Sequence, residues 1–367
     1  MARATAEVDL EAIRLNCALL DSKAGTATLC AVVKANGYGH GMLEVARAAQ
    51  EGGASWLAVA AGSEALELRH AGIGGRILVM GVVGREEVEE LVSASCDLVA
   101  WSDDLVEWAL RAETRARLHV KFDTGMGRLG TRSLPNAVRL ALRVEDSDGV
   151  ELIGVTTHFA TADAADPSFM REQNAKFTEF VEQVRGFAPE VIAHAANSAA
   201  TLGFPESHHD MVRCGIGIYG LDPFGADPAV HGLIPALGLK SWLGTVKETA
   251  AGESVGYGQT FIAETPTVIG TVPIGYADGV RRLLGGGADA LVGGRRVPIV
   301  GNVSMDNITL DLGQGATDSV GSEVILLGSD GENRLLVEDW ARAAQTINYE
   351  IATGLGGRTS FEYRGKA

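Results

Sequence analysis

The sequence predicts an α/β protein in which a (β/α)8 TIM barrel is followed by a smaller, mostly β C-terminal domain. Up to about residue 230, short β-branched runs alternate with amphipathic helical stretches, the pattern of a parallel sheet with crossover helices. Eight such runs occur, the number a closed barrel needs. After His231 the segments become short, β-rich and punctuated by Gly and Pro. An open doubly wound sheet fits the same alternation, because closure is not written in the sequence.

A helix over Glu11–Leu20, capped by Asp9, precedes the first strand. Strands are expected at Thr28–Val33, Trp56–Ala60, Ile77–Val79, Asp97–Ala100, Leu118–Phe122, Leu152–Thr156, Val191–Ala195 and near Met211–Ile216. The intervening helices are Met42–Glu51, Ser63–His70, Glu86–Ser93, Asp103–Ala112, Pro135–Val144 and Phe169–Val184. The β domain should hold strands near Ser241–Thr249, Thr267–Val272, Ala290–Val292, Arg296–Val300, Ile308–Leu312 and Ser322–Leu327, with one good helix at Val337–Thr346. The expected division is barrel over 1–232 and β domain over 233–367.

A chain of 367 residues suits a large barrel or two domains. Its net charge of −16 argues against nucleic acid or an anionic membrane as partner, since both attract clustered Lys and Arg. Neither a signal-type apolar segment at Met1–Leu10 nor a membrane-length apolar run is found. Cys17, Cys30, Cys96 and Cys214 are scattered without a C-x-x-C pair, which fits a reduced, cytoplasmic protein and neither a disulfide scaffold nor a zinc site. His158, His194 and His208–His209 form no recognisable metal-ligand set.

Five segments carry chemistry. Lys34 ends the apolar run Leu29–Val33 and enters the turn Ala35-Asn36-Gly37-Tyr38-Gly39-His40-Gly41. An amine held in a partly desolvated pocket is more often neutral and able to attack a carbonyl, whereas the bland alternative is a lysine snorkelling from a strand end. Lys121-Phe122-Asp123-Thr124-Gly125-Met126-Gly127-Arg128 packs two cations and a carboxylate around turn glycines, or is a solvated loop. His158 follows an apolar strand, where a lone histidine is more often a satisfied structural residue than a ligand. Arg213-Cys214-Gly215-Ile216-Gly217-Ile218-Tyr219-Gly220 fits G-x-G-x-x-G, but a loop follows instead of a helix, so a small phosphate held by backbone N–H groups suits it better than a dinucleotide. Finally, Gly256-Tyr257-Gly258, Gly275-Tyr276-Ala277-Asp278-Gly279 and Ser304-Met305-Asp306 lie in the β domain. A phenol projecting from a Gly-flanked turn serves as acid or base when a cation is near; otherwise Tyr257 packs the turn. Lys34, Lys121 to Arg128, His158, Ser198 and Arg213 all fall at or just past predicted strand ends, the face where barrels carry their sites.

In order along the chain, AVVKANGYGHG, KFDTGMGRLG, HFA, AANSAA, RCGIGIYG, VGYGQTF, GYADG, VSMDN and INYE make a set that resembles the alanine racemase family. The resemblance runs from about Glu7 to Glu350. It implies a pyridoxal 5'-phosphate enzyme that interconverts L- and D-alanine by two-base proton transfer at Cα, supplying D-alanine for peptidoglycan. Lys34 would bind the cofactor covalently and act as one proton-transfer group, with Tyr257 on the opposite face. In the family this tyrosine comes from the other subunit, which implies a homodimer with shared sites. Arg213 matches the contact to the pyridine nitrogen, and Tyr38, Ser198, Gly215, Ile216 and Tyr349 match phosphate positions. His158 matches a residue near the ring substituents. Arg128 and the backbone of Met305 match contacts to the carboxylate of a small amino-acid substrate. Lys121 occupies a position often carbamylated in the family; no metal is implied.

Asn302 stands where the family commonly has Arg, and the end of the chain, Gly356 to Tyr363, lacks the usual arginine-rich strand. These departures bear on substrate breadth and the dimer edge. The competing readings are a racemase of serine, lysine or several amino acids, a fold-related decarboxylase, and a non-catalytic cofactor carrier. The decarboxylase type carries a cysteine in the β domain, whereas here all four precede residue 215.

Overall fold

Eight short runs of Val, Leu, Ile and Ala, bounded by turn residues, become parallel strands buried on both faces, as strands covered by crossover helices must be. In the computed structural model, which describes residues 2–365, they span Thr28–Val32, Trp56–Val59, Arg76–Val79, Asp97–Ala100, Ala116–Lys121, Val150–Thr156, Ile192–His194 and Met211–Cys214. The first seven pair in chain order, and the eighth pairs with the first through Thr28↔Met211 to Ala31↔Cys214. Backbone bonds from Asp210 to Ala193 (3.0 Å) and from Arg213 to Ala196 (2.9 Å) join the seventh and eighth strands, so the sheet closes. The open-sheet alternative is thereby set aside.

The helices follow the expected periodicity. Asp9 caps Leu10–Ala24 by accepting from the amide of Ala12 at 3.0 Å. Ser168–Arg185 buries Met170, Gln173, Phe177, Phe180, Val181 and Val184, one stripe at 3.6-residue spacing. Each buried Phe of that stripe contributes roughly 1.5–3 kcal/mol of transfer free energy.

The second sheet runs Thr245–Thr249, Thr267–Val272, Ile308–Asp311, Arg295–Val300, Asp289–Val292, Glu323–Asp330, Leu237–Trp242, Thr5–Asp9, Ser360–Arg364. Three expectations are corrected here. Thr5–Asp9 belongs to this sheet and not to the barrel, pairing antiparallel with Leu237–Trp242 and parallel with Ser360–Arg364, so the 1–232 division hides a strand exchanged between the layers. Its alternation is plain, Ala6 and Val8 inward, but the run is short and its partners lie hundreds of residues away. The single strand over Ser241–Thr249 is two, broken at Leu243-Gly244. The helix Val337–Thr346 ends at Ala343, with Gln345 at φ 54, and a second helix, Asn348–Gly354, follows. Residues 1, 366 and 367, within the expected domain limits, lie outside the described residues. Among the described residues no helix is long and apolar enough to cross a membrane.

Candidate active site

The first barrel strand delivers Lys34 into a turn of opposite hand to an ordinary helix. Ala35, Asn36, Gly37 and Tyr38 all have φ between 51° and 61°. For non-glycine residues this conformation costs roughly 1–2 kcal/mol each, so other contacts must hold it. Three do so. The Glu64 carboxylate accepts the Ala35 amide, Asn36 Oδ1 accepts the Met42 amide at 3.0 Å, and Gly39 and Gly41 return their amides to Asn36 O. The Lys34 ammonium lies 6.0 Å from the Tyr38 ring centroid. Burial and then the Arg128 guanidinium lower its pKa from the ordinary lysine value, against a smaller opposing pull from Glu64.

Lys34 lines a cavity of about 860 Å³ at the C-terminal ends of the barrel strands. Arg213, buried at the end of the last strand, sends Nη1 to His194 Nδ1 at 2.8 Å. Its Nη2 reaches Thr157 O (2.9 Å), Ala195 O (3.0 Å) and His158 Nδ1 (3.3 Å). Burial lowers its pKa to about 10, which leaves it a cation at neutral pH. Lys121, half-buried, is pushed down to about 7 by burial, then by Arg213 and Arg128, with Asp123 opposing. His158 is held well below the usual imidazole range by burial and by Arg213, Lys121, Arg128 and Lys34, so its ring is neutral.

At another part of the same cavity stand Tyr38, Ser198, Gly215, Ile216 and Tyr349. Tyr38 stacks on Tyr219 at 4.9 Å, and its ring centroid lies 6.2 Å from that of Tyr349. A Cβ at position 215 would stand 2.9 Å from Tyr38 Cζ, so glycine is needed there for space. Ser198 Oγ accepts from the amides of Gly215 (3.0 Å) and Gly217 (3.2 Å), so two of the backbone donors read from the glycine pattern are already engaged by a hydroxyl.

The structure thus brings together Lys34, Tyr38, Lys121, Arg128, His158, Ser198, Arg213, Gly215, Ile216 and Tyr349. Tyr257 and Met305 are not in that cavity. Both belong to the β domain and are exposed, at 74% and 53%. There the segment 302–305 is bonded to both tyrosine turns: Asn302 Nδ2 donates to Tyr257 O at 2.7 Å, while Tyr276 and Ala277 donate their amides to Ser304 O and Met305 O at 3.0 and 3.1 Å.

Several supporting residues escaped the sequence reading. Glu64, at the third position of its helix, accepts the Ala61 amide as a local capping acid does, and its reach to Ala35 is a tertiary contact that no local pattern shows. Asn348 donates to Asp222 O (2.7 Å) and to Glu338 Oε1 (2.9 Å), and Glu338 also accepts the Asp222 amide at 3.0 Å. This buried cluster fastens the helix bearing Tyr349 to the exit of the barrel. An acid facing apolar neighbours in the pattern of Val337–Ala343 was the available signal.

A family model described as the alanine racemase N-terminal domain matches residues 8–223, and one described as the alanine racemase C-terminal domain matches 236–363. The alanine racemase of Beutenbergia cavernae is 41% identical over 363 residues, covering 97% of this chain and 96% of that protein. That of Halalkalibacterium halodurans is 42% identical over 357 residues, with 94% and 91% covered. The crystal structure of alanine racemase from D-cycloserine-producing Streptomyces lavendulae superposes with a TM-score of 0.95 at 39% identity, covering 100% of this chain and 98% of that one. The enzyme from E. faecalis gives 0.92 at 37%, with 99% and 98% covered.

Proposed function

The chain belongs to the alanine racemase family, whose members are pyridoxal-phosphate-dependent isomerases, and on that premise we propose that it interconverts L- and D-alanine with Lys34 and Tyr257 as proton-transfer groups on opposite faces of Cα. The observation that carries this reading is the charge of the cavity. Lys34, Lys121, Arg128 and Arg213 line it, against the single carboxylate of Glu350 among the described lining residues. Burial and then the Arg128 guanidinium lower the pKa of Lys34, and burial, Arg213 and Arg128 lower that of Lys121; amines so placed among guanidinium groups need an anion, and a phosphate together with a substrate carboxylate meets that need. The residues present therefore fit pyridoxal phosphate.

Bound pyridoxal phosphate supplies the carbonyl that Lys34 joins and the electron sink that acidifies the substrate Cα–H. Arg213 would hold the ring nitrogen; as a donor-only group it does not hand over a full proton, which restrains side reactions. Tyr38, Ser198, Gly215, Ile216 and Tyr349 would hold the phosphate, and His158 would flank the ring. The Lys34 amine, its pKa lowered by burial and by Arg128, takes or returns a proton at Nζ. Arg128 offers its fork to the substrate carboxylate, with the Met305 N–H as a second contact. Racemisation needs a second group on the far face. Tyr257 is well exposed on its own chain, which supports a homodimer in which the partner's Tyr257 completes each site. Barrel residues up to about 232 then carry the cofactor, and the β domain the second base. A cytoplasmic location and a role in providing D-alanine for peptidoglycan accord with this activity. Carbamylation of Lys121 would give Arg128 an anionic neighbour in place of a repelling one.

The test combines chemistry and stereochemistry. Borohydride reduction followed by peptide mapping should fix the cofactor on Lys34, and L-alanine in D2O should yield D-alanine deuterated at Cα. No adduct at Lys34 would sink the reading, and faster turnover of serine or lysine than of alanine would change the substrate.

A further inference from the structure

The barrel interior holds a line of buried side chains that the proton-transfer chemistry does not use. Asp97, His119 and His194 are each fully buried, and they run from the N-terminal end of the fourth strand to Arg213 at the site. His119 Nε2 lies 3.3 Å from Asp97 Oδ2, His119 Nδ1 lies 2.9 Å from His194 Nε2, and His194 Nδ1 lies 2.8 Å from Arg213 Nη1.

The two ends of this line dictate one proton order. Arginine has donors only, so His194 Nδ1 must offer its lone pair. A neutral His194 then carries its hydrogen on Nε2 and donates to His119 Nδ1. His119 in turn carries its hydrogen on Nε2 and donates to the carboxylate. Read from the other end, Asp97 demands a donor and gives the same order. Every imidazole nitrogen is used once, without conflict.

We propose that Asp97, acting through His119, fixes the tautomer and orientation of His194 and so positions the Arg213 guanidinium; the proposal rests on the reading of Arg213 as the residue that holds the cofactor ring. The line is built to be rigid. Arg76 (2.5 Å) and Arg117 (2.6 Å) hold the Asp97 carboxylate at the far end. Burial lifts the Asp97 carboxyl, but the bonds from His119, Arg117 and Arg76 outweigh it and keep the pKa below the usual carboxylate value. Burial keeps both rings neutral, and the Arg213 charge adds to this at His194. Trp56 covers His119 edge to face at 5.5 Å, and Arg76 in turn lies over Trp56 at 4.5 Å. The neighbouring strand carries Gly154 opposite His119, where a Cβ would come within 2.8 Å of His119 Cε1. Glycine there makes room for the ring. These residues do not touch the reacting atoms; they are positioning residues, the role that outer partners of ligating histidines play in metal sites.

The decisive measurement is 15N NMR of histidine-labelled, pyridoxal-phosphate-loaded protein. His119 and His194 should each show a bare Nδ1 and a protonated Nε2 in one state; an imidazolium or the reverse tautomer at His194 would overturn the proposal. Two substitutions separate positioning from space-filling. Gln offers an acceptor and a donor and can reproduce the order, whereas Phe fills the space beside Trp56 and offers neither. His119→Phe should lower kcat about tenfold with less than about a twofold change in KM and shift the cofactor's visible band, while His119→Gln stays within about threefold of the parent. Equal losses from the two, or a milder loss from Phe, would overturn it. The Lys34 adduct in the unsubstituted protein tests the functional reading separately, and the wild-type tautomers decide the matter even if His119→Phe does not fold.

Discussion

The carboxylate of Glu64 accepts the amide of Ala35, the residue after Lys34, at 2.6 Å. Its second oxygen accepts the amides of Ala60 and Ala61, both at 3.0 Å. One side chain therefore ties the turn that carries the amine to the end of the next barrel strand. Hydrogen bonds to a charged group contribute roughly 1.5–3 kcal/mol each, less where water reaches them. Glu64→Ala should lower stability by about 2–3 kcal/mol and slow cofactor attachment at Lys34. Urea unfolding and the rate at which the visible band appears on adding pyridoxal phosphate check this; an unchanged midpoint and rate would show the tie to be idle.

The left-handed turn makes a second, opposite pair of predictions. Ala35 sits at φ 52, where Gly relieves strain at the cost of a looser unfolded chain, so Ala35→Gly should stabilise by up to about 1 kcal/mol. Asn36 tolerates φ 51 and bonds the Met42 amide, so Asn36→Ala should destabilise by about 1–2 kcal/mol. Denaturant midpoints should move in opposite directions.

His40 gives the fold an acid-sensitive point. The ring is fully buried, donates from Nδ1 to Tyr38 O at 2.9 Å, lies tilted against Tyr219 at 4.6 Å between centroids and leaves Nε2 without a partner among the described residues. Burial, against bonds to Tyr38 and Gly37, lowers its pKa to about 4. Unfolded, it would titrate near 6.5, so between these values the unfolded chain binds the proton and the folded one does not. The stabilisation is complete above about 6.5 and is lost as pH falls toward about 4, to the extent of about 3 kcal/mol. Urea unfolding at pH 7.5 and pH 4 should show that loss in the parent beyond whatever His40→Phe loses. Parallel losses would place the sensitivity elsewhere.

The barrel was legible because each of its strands is a local apolar run and each helix a local stripe, so nothing distant was needed to see them. The same holds for the cavity residues that sit in Gly-rich turns after strands. Thr5–Asp9 was missed as a strand because its ladder joins residues 237–242 and 360–364, and five residues alone carry too little pattern. The opposite hand of the Lys34 turn was illegible for another reason. Ala35 has no preference for positive φ, and the conformation is held by contacts made only on folding, from Glu64 to the Ala35 amide and from the Met42 amide to Asn36. Asp97, His119 and His194 are single polar residues in buried strands, and only folding shows that they touch.

Lys121 supplies a prediction about pH and carbon dioxide. With its pKa lowered to about 7, its neutral fraction rises from roughly a tenth at pH 6 to nine-tenths at pH 8. The neutral amine adds to carbon dioxide, forming an N–C bond and releasing one proton, and the product is an anion beside Arg128. A 13C carbamate resonance should grow over that pH range when the protein is held in labelled bicarbonate, and it should vanish in Lys121→Ala. A resonance that survives that substitution belongs to another amine.

Asn302 offers the last test, because it holds the Tyr257 turn without being part of the cavity. Its Nδ2 donates to Tyr257 O at 2.7 Å, and the Gly256 and Gly258 that flank the tyrosine, at φ 80 and 74, give the turn little stiffness of its own. Removing the bond should leave the phenol present but less often in place. Because Tyr257 is read as a proton-transfer group and not as an anchor for cofactor or carboxylate, the loss should appear in kcat. Asn302→Ala is expected to lower kcat about five- to tenfold, the equivalent of about 1–1.4 kcal/mol, with KM for alanine and pyridoxal-phosphate affinity nearly unchanged. A deuterium isotope effect on Cα that rises in the direction served by Tyr257 would accompany it. A higher KM at constant kcat would instead make this turn a substrate contact and move the proton-transfer role away from it.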